Sequence, residues 1–183
     1  HGYFWRGEDE RLVGMKAQRI RTLLEAGINL FAYHLPLDCH PTLGNNAGLA
    51  RAMGLDGWQG IDPDNSTHPV FCGAFEDGTC LSAIVTRLEH ELQRQTLVIG
   101  EPDAVIRSAA WCTGGGQGYI DGADLFVTGE VSEQTIHVAR ERGLAFIAAG
   151  HHATERFGAR NLGQWIAEHF GIEHHFVDID NPA

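Results

Sequence analysis

Val105-Ile106-Arg107-Ser108-Ala109-Ala110-Trp111 runs into Thr113-Gly114-Gly115-Gly116-Gln117-Gly118, and this passage from an apolar run to a glycine-rich turn decides the fold. A short apolar run cut off by glycines predicts a buried strand, a tight turn and then a helix. The rhythm returns twice. Asp124 to Thr128 predicts a strand that meets Gly129-Glu130-Val131-Ser132 and a helix to Arg142. Leu144 to Ala149 predicts another, meeting Gly150-His151-His152-Ala153-Thr154-Glu155 and a helix through Phe170. Glu173 to Ile179 reads as a closing strand. Strands alternating with helices predict a layered α/β protein, its sheet largely parallel in this half.

Working back toward the N-terminus, Met15, Ile20, Leu23 and Leu24 recur at helical spacing and Gly27 supplies a stop. Ile28 to His34 suits a buried strand that empties into the polar segment Leu35 to Asn46, whose Pro36 and Pro41 argue against a regular helix. Asn45 or Asn46 can cap a helix through Met53, ended by Gly54. Gly60 to Pro69 reads as a surface loop, Val70 to Phe75 as a strand, and Asp77-Gly78-Thr79 as a turn. Leu81, Ile84, Val85, Leu88 and Leu92 share one face of an amphipathic helix, and Thr96 to Ile99 reads as a short strand.

Composition narrows the classes of function. The 183 residues carry a formal net charge of -11, with Lys and Arg scattered, so a phosphate backbone is repelled over most of the surface and nucleic acid is not an expected partner. No stretch approaches the apolar length of a bilayer span, and HGYFWRGEDE lacks the layout of a signal peptide, so no membrane partner and a cytoplasmic location are expected. The four cysteines, Cys39, Cys72, Cys80 and Cys112, have no C-x-x-C spacing and read as reduced thiols, mostly buried. Eleven histidines lean the composition toward metal.

Two loops carry the chemistry. His151 and Glu155, four residues apart just after a strand, can converge on one point and offer imidazole nitrogen with carboxylate oxygen. The plainer alternative makes His151 a helix cap and Glu155 a solvated side chain. His34-Leu35-Pro36-Leu37-Asp38, stiffened by proline, can hold His34 and Asp38 in a fixed fan, or these can be a strand-end histidine and a turn cap. Thr113 to Gly118 could present backbone N–H groups to an anion, or could simply be a turn that needs positive φ. Glu130 could contact substrate or start the next helix. His174-His175 read as structural or exposed, and the aromatics Phe4, Trp5, Phe31 and Trp165 as core rather than a binding platform.

Taken in order, these motifs resemble those of the Nif-three-like proteins, the GTP cyclohydrolase I type 2 homologues with a dinuclear metal centre. His1-Gly2-Tyr3-Phe4-Trp5 resembles the family's His-His segment with its first His lost; His34 to Asp38 and Gly44-Asn45-Asn46 resemble its middle motif. Gly129 to Gln134 and Gly150 to Arg156 resemble its C-terminal motifs. The resemblance spans the whole chain, 1–183, as one α/β domain with sub-halves 1–100 and 101–183, and implies an N-terminal segment missing ahead of His1. It implies a layered α/β sandwich of two similar halves with mixed to largely parallel sheets. It also implies metal ligands at His1, Asp38, His151 and Glu155, with Glu155 bridging, and His34 adjoining the site. Two divalent ions (zinc, iron, manganese or nickel), a small-molecule substrate and a ring-shaped homohexamer complete the expectation. The reaction would be a metal-dependent hydrolysis of a nucleotide or related molecule, with His34 or His152 shuttling protons. The alternative is a metal-handling or interaction protein without catalysis. An open coordination position would favour the first, a closed protein shell the second.

Overall fold

A computed structural model describes residue 2 and residues 7–120 and 122–183 of the chain. They fall into two compact units, residues 1–34 and 35–183. The first unit contains α1 (Gly14–Glu25), which buries none of its own residues. Residues 28–33 form neither strand nor helix, contrary to the strand expected there: a strand needs a ladder partner, and none pairs with this segment among the described residues.

The elements that follow are α2 (His34–Asp38), α3 (Asn45–Met53), β1 (Gln59–Gly60), β2 (Phe71–Cys80), α4 (Leu81–Leu92), β3 (Leu97–Ile99), β4 (Val105–Cys112), β5 (Leu125–Thr128), α5 (Glu133–Arg142), β6 (Ala145–Ala148), α6 (His151–Thr154) and α7 (Phe157–Phe170). The second unit is built on one six-stranded sheet of order β1-β2-β4-β5-β6-β3. β4, β5 and β6 are parallel, and the outer pairings are antiparallel, so the sheet is mixed. Strands from either side of residue 100 pair within it.

The parallel strands are buried on both faces, which is why they read as unbroken apolar runs. Ala109, Trp111, Leu125, Val127 and Ile147 point to the face covered by α3 and α4, where they meet Leu49, Met53, Ile84 and Leu88. Ala110, Phe126 and Phe146 point the other way, with Ala139 of α5. Burying each large side chain contributes about 1.5–3 kcal/mol, so these two layers carry most of the stabilisation of the unit. Ser132 caps α5 through a capping box with Thr135, and Gly143 closes it in a left-handed conformation.

Four local expectations are corrected. α2 forms despite Pro36, because proline in the first helical turn removes an N–H that has no intrahelical acceptor. Asp77-Gly78-Thr79 lies inside β2, where the register against β4 shifts between Ala74 and Thr79 and Gly78 takes φ +73°, a bulge rather than a turn. After the glycine-rich turn only a 3-10 turn forms, Gln117–Tyr119. Glu173 to Ile179 has no ladder partner among the described residues and stays irregular.

Candidate metal centre

The register of the parallel strands sets Cys112 beside Thr128, and Thr128 beside Ala148. Their C-terminal ends are therefore level, and the three following turns emerge side by side. This is where an α/β sheet gathers functional groups. The turns contribute Gly114, Glu130 and the pair His151 and Glu155.

His151 lies between two carboxylates. Its Nδ1 is 2.6 Å from Glu130 Oε1, and its Nε2 is 3.2 Å from Glu155 Oε2. Glu130 is in turn held by Gln117, whose amide donates to Oε2 at 3.0 Å. Burial alone would push the imidazole's pKa down; the hydrogen bond to Glu130 and the charges of Glu155 and Glu130 outweigh it, and the net shift is upward. Glu130 is held below the usual carboxylate range, first by its hydrogen bond to His151. The helix breaks between α6 and α7, and Glu155 sits in the break, still facing His151 across one turn.

Asp38 approaches from α2. It is only 6% exposed, and Asn45 Nδ2 donates to its Oδ1 at 2.6 Å. The Asn45 carbonyl accepts from the N–H of Gly158 at 2.6 Å, tying the Asp38 segment to the start of α7 just beyond Glu155. Asn45 is therefore a brace within α3, not its cap; the cap position is Gly44. The Cys112 thiol is pushed up to about 12, first by burial and then by the charges of Asp38, Cys39 and Glu155. Cys39 and Cys112 are buried, Cys72 is half-buried and Cys80 is exposed.

The glycine-rich turn is a structural wall of this group. The N–H groups of Thr113, Gly114 and Gly116 are donated to Asn46 Oδ1, Thr154 Oγ1 and Thr128 Oγ1, so they are not turned toward an anion. Gly114 has φ +63°; a Cβ there would overlap Glu155 Oε1 and lie 3.0 Å from His151 Nε2. Glycine is required here by backbone shape and by the approach of the two donors.

The other expected residues are distributed differently. His1 lies outside the described residues. His34 is the exposed first residue of α2 and belongs to the other compact unit. His152 faces the C-terminal stretch, its Nε2 3.8 Å from Asp178 Oδ1. His174 packs against Gly163 of α7, and His175 is exposed. Phe31 and Trp165, expected in the core, are exposed instead, and Phe4 and Trp5 lie outside the described residues. Sequence reasoning left the role of Glu130 open and did not bring in Arg94, whose side chain reaches over Gly150. The glycine at 150, immediately before His151, was the available signal, and the structure uses it both for a φ of +95° and for the close approach of Arg94.

An imidazole that gives its Nδ1 proton to a carboxylate presents a lone pair at Nε2. Facing Glu155, that lone pair needs a proton or a cation between them, and a carboxylate-backed histidine is a common arrangement around metals. The donor chemistry of this pair therefore fits a divalent ion. Among the described residues no three His, Cys, Asp or Glu side chains gather closely enough to enclose one.

The sequence profile of the family described as Duf34/NIF3 (NGG1p interacting factor 3) matches residues 1–182. The chain belongs to this family. Relatives named GTP cyclohydrolase 1 type 2 homolog from Pseudomonas aeruginosa and from Escherichia coli (strain K12) are each 49% identical to it, over all of this chain and 74% of their own length. A solved structure described as protein ybgI, of unknown function, superposes with a TM-score of 0.88 at 48% identity, covering 99% of this chain and 74% of that one. TTHA1606 from Thermus thermophilus gives a TM-score of 0.81 at 34% identity, covering 98% and 73%. The Duf34/NIF3 fold is thus the mixed α/β sheet seen here. Among the described residues no helix is long and apolar enough to cross a membrane.

Proposed function

We propose that the chain binds divalent metal through His151, Glu155 and Asp38, with His1, in a two-ion centre that hydrolyses a nucleotide or related small molecule. The observation that carries this reading is the Glu130-His151-Glu155 series, with contacts of 2.6 and 3.2 Å on opposite ring nitrogens. Glu130 fixes the tautomer and ring orientation, Glu155 offers two oxygens for bridging, and Asn45 and Gln117 hold the carboxylates in place. A bound pair of cations would lower the pKa of a coordinated water and polarise the bond under attack. The name of the relatives, GTP cyclohydrolase 1 type 2 homolog, agrees with a hydrolytic reaction on a purine nucleotide. The same reading includes assembly into a homohexamer, supported by the exposed apolar side chains of the first unit, among them Leu12, Val13, Leu24 and Phe31.

Elemental analysis of purified protein tests the metal, with near-stoichiometric divalent ion expected in wild type and loss in Glu155→Ala. Equal metal in both would reject the site. A turnover screen of metal-loaded protein over nucleotides, cyclic amides and phosphoesters tests the chemistry. Hydrolysis by wild type and not by Asp38→Asn supports it, and equal turnover in both places the reaction elsewhere.

A further inference from the structure

A second cluster lies under the C-terminal stretch. A cavity of about 600 Å³ there is lined by Arg94, His152 and Arg156, with Asp178 and Asp180 entering from the stretch itself. Arg94 comes from the turn between α4 and β3, and Arg156 from the break between α6 and α7. In a chain of net charge -11, two guanidinium groups and an imidazole are gathered into one cavity with two carboxylates.

These groups are incompletely matched by the acids around them. Asp178 pairs with Arg156, which also donates to the Leu92 carbonyl. The same carboxylate stands 3.8 Å from His152 Nε2, too far to bond, and that buried nitrogen has no hydrogen-bond partner among the described residues. Among the described residues Arg94 donates to the backbone oxygens of Gln95 and of Ala183, the last of the 183 residues, at 3.4 and 3.1 Å. Asp178 therefore stands among three donor groups, paired with one of them, while Asp180 lines the same cavity. A phosphate, with three terminal oxygens and up to two negative charges, matches that number and charge better than a carboxylate.

We infer that this cavity takes the phosphate group of a small-molecule ligand on Arg94, Arg156 and His152, and that Asp178 occupies it as an internal stand-in for the phosphate. This names the substrate class of the proposed centre and rests on that reading, because each donor adjoins the centre. His152 follows His151, Arg156 follows Glu155, and a Cβ on Gly150 would overlap the Arg94 guanidinium. Among the described residues the stretch that carries Asp178 joins no ladder or helix, so a ligand would displace the Asp178 pairing from an irregular segment.

The test is calorimetric titration of inorganic phosphate into chelator-treated, metal-free protein. Arg94→Gln and Arg156→Gln are expected to weaken binding about tenfold, the loss of one charge-assisted contact. Asp178→Asn, which removes the competing charge, is expected to tighten it severalfold. Circular dichroism checks the fold, and Arg94→Gln, with only backbone partners to lose, carries the test if Arg156→Gln unfolds. Equal affinity in Arg94→Gln and wild type, no tightening in Asp178→Asn, or no phosphate bound by either wild type or Asp178→Asn would each overturn the assignment. Glu155→Ala separates the two readings: if it loses metal and still binds phosphate, both stand. If the purified protein carries no metal yet phosphate binding follows the arginine variants, only the metal reading fails.

Discussion

Glu130 Oε1 stands 2.6 Å from Nδ1 of His151, and this contact decides which ring nitrogen is left to face Glu155. A carboxylate at Nδ1 fixes that nitrogen as donor and raises the basicity of the other. In Glu130→Gln the side chain keeps its size and loses its charge, and the amide can present either its oxygen or its nitrogen. Metal retention against a chelator is expected to fall about 10–100-fold, with the melting temperature little changed. Unaltered retention would mean that Glu130 does not orient the ring.

Gly114 packs its backbone directly against the two donors. A methyl group there meets Glu155 Oε1, and the residue's φ of +63° disfavours any side chain. Gly114→Ala is expected to cost about 1–2 kcal/mol in chemical denaturation and to displace Glu155, lowering metal content below that of wild type. A variant that is destabilised but fully loaded would show that the turn shapes only the fold.

At the other end of the sheet, Asp124 ties β5 to β4. Its Oδ2 accepts from the N–H groups of Arg107 and Ser108, both at 2.9 Å, and these bonds hold the carboxylate below its usual range. A depressed carboxylate contributes its stabilisation above the unfolded-state pKa and loses it as pH falls through the lower folded value. Asp124→Asn is therefore expected to be less stable than wild type at neutral pH. Solvent screening of this exposed side chain keeps the difference at or below about 1 kcal/mol. Denaturation midpoints measured from pH 6 down toward pH 3 should converge, and a constant gap would exclude the charge as the cause.

How far the sequence reached can be judged from these same elements. α4 and the three parallel strands were legible because their apolar periodicity is local and unambiguous, and their glycine punctuation located the turns. Residues 28–33 and 173–179 carry apolar side chains but pair with no strand among the described residues, and pairing is a non-local fact that composition does not carry. His151 and Glu155 were legible as a pair from their spacing. Glu130 carried a strand-end signal, but its orientation toward Nδ1 depends on the register of β5 against β6. Arg94 arrives from a segment far away in sequence, and the sequence offered only a glycine at 150 as a sign that something packed there.

Asn45 is the brace whose removal should separate the two halves of the site. Its amide donates to Asp38 and its carbonyl accepts from Gly158, both at 2.6 Å, in a buried position. In Asn45→Ala the Gly158 N–H loses its acceptor and the buried Asp38 carboxylate loses one donor. Leaving such groups unsatisfied costs about 1–3 kcal/mol for a neutral donor and more for a charge. Denaturant unfolding should register that loss. A control variant, Leu88→Ala in the core beneath α4, should lose a comparable or larger amount, about 2–5 kcal/mol, while retaining its metal at low temperature. If Asn45→Ala loses metal where an equally destabilised Leu88→Ala does not, the brace acts on the site and not merely on the fold. Equal metal content in the two variants would reduce Asn45 to a packing residue and leave Asp38 positioned by α2 itself.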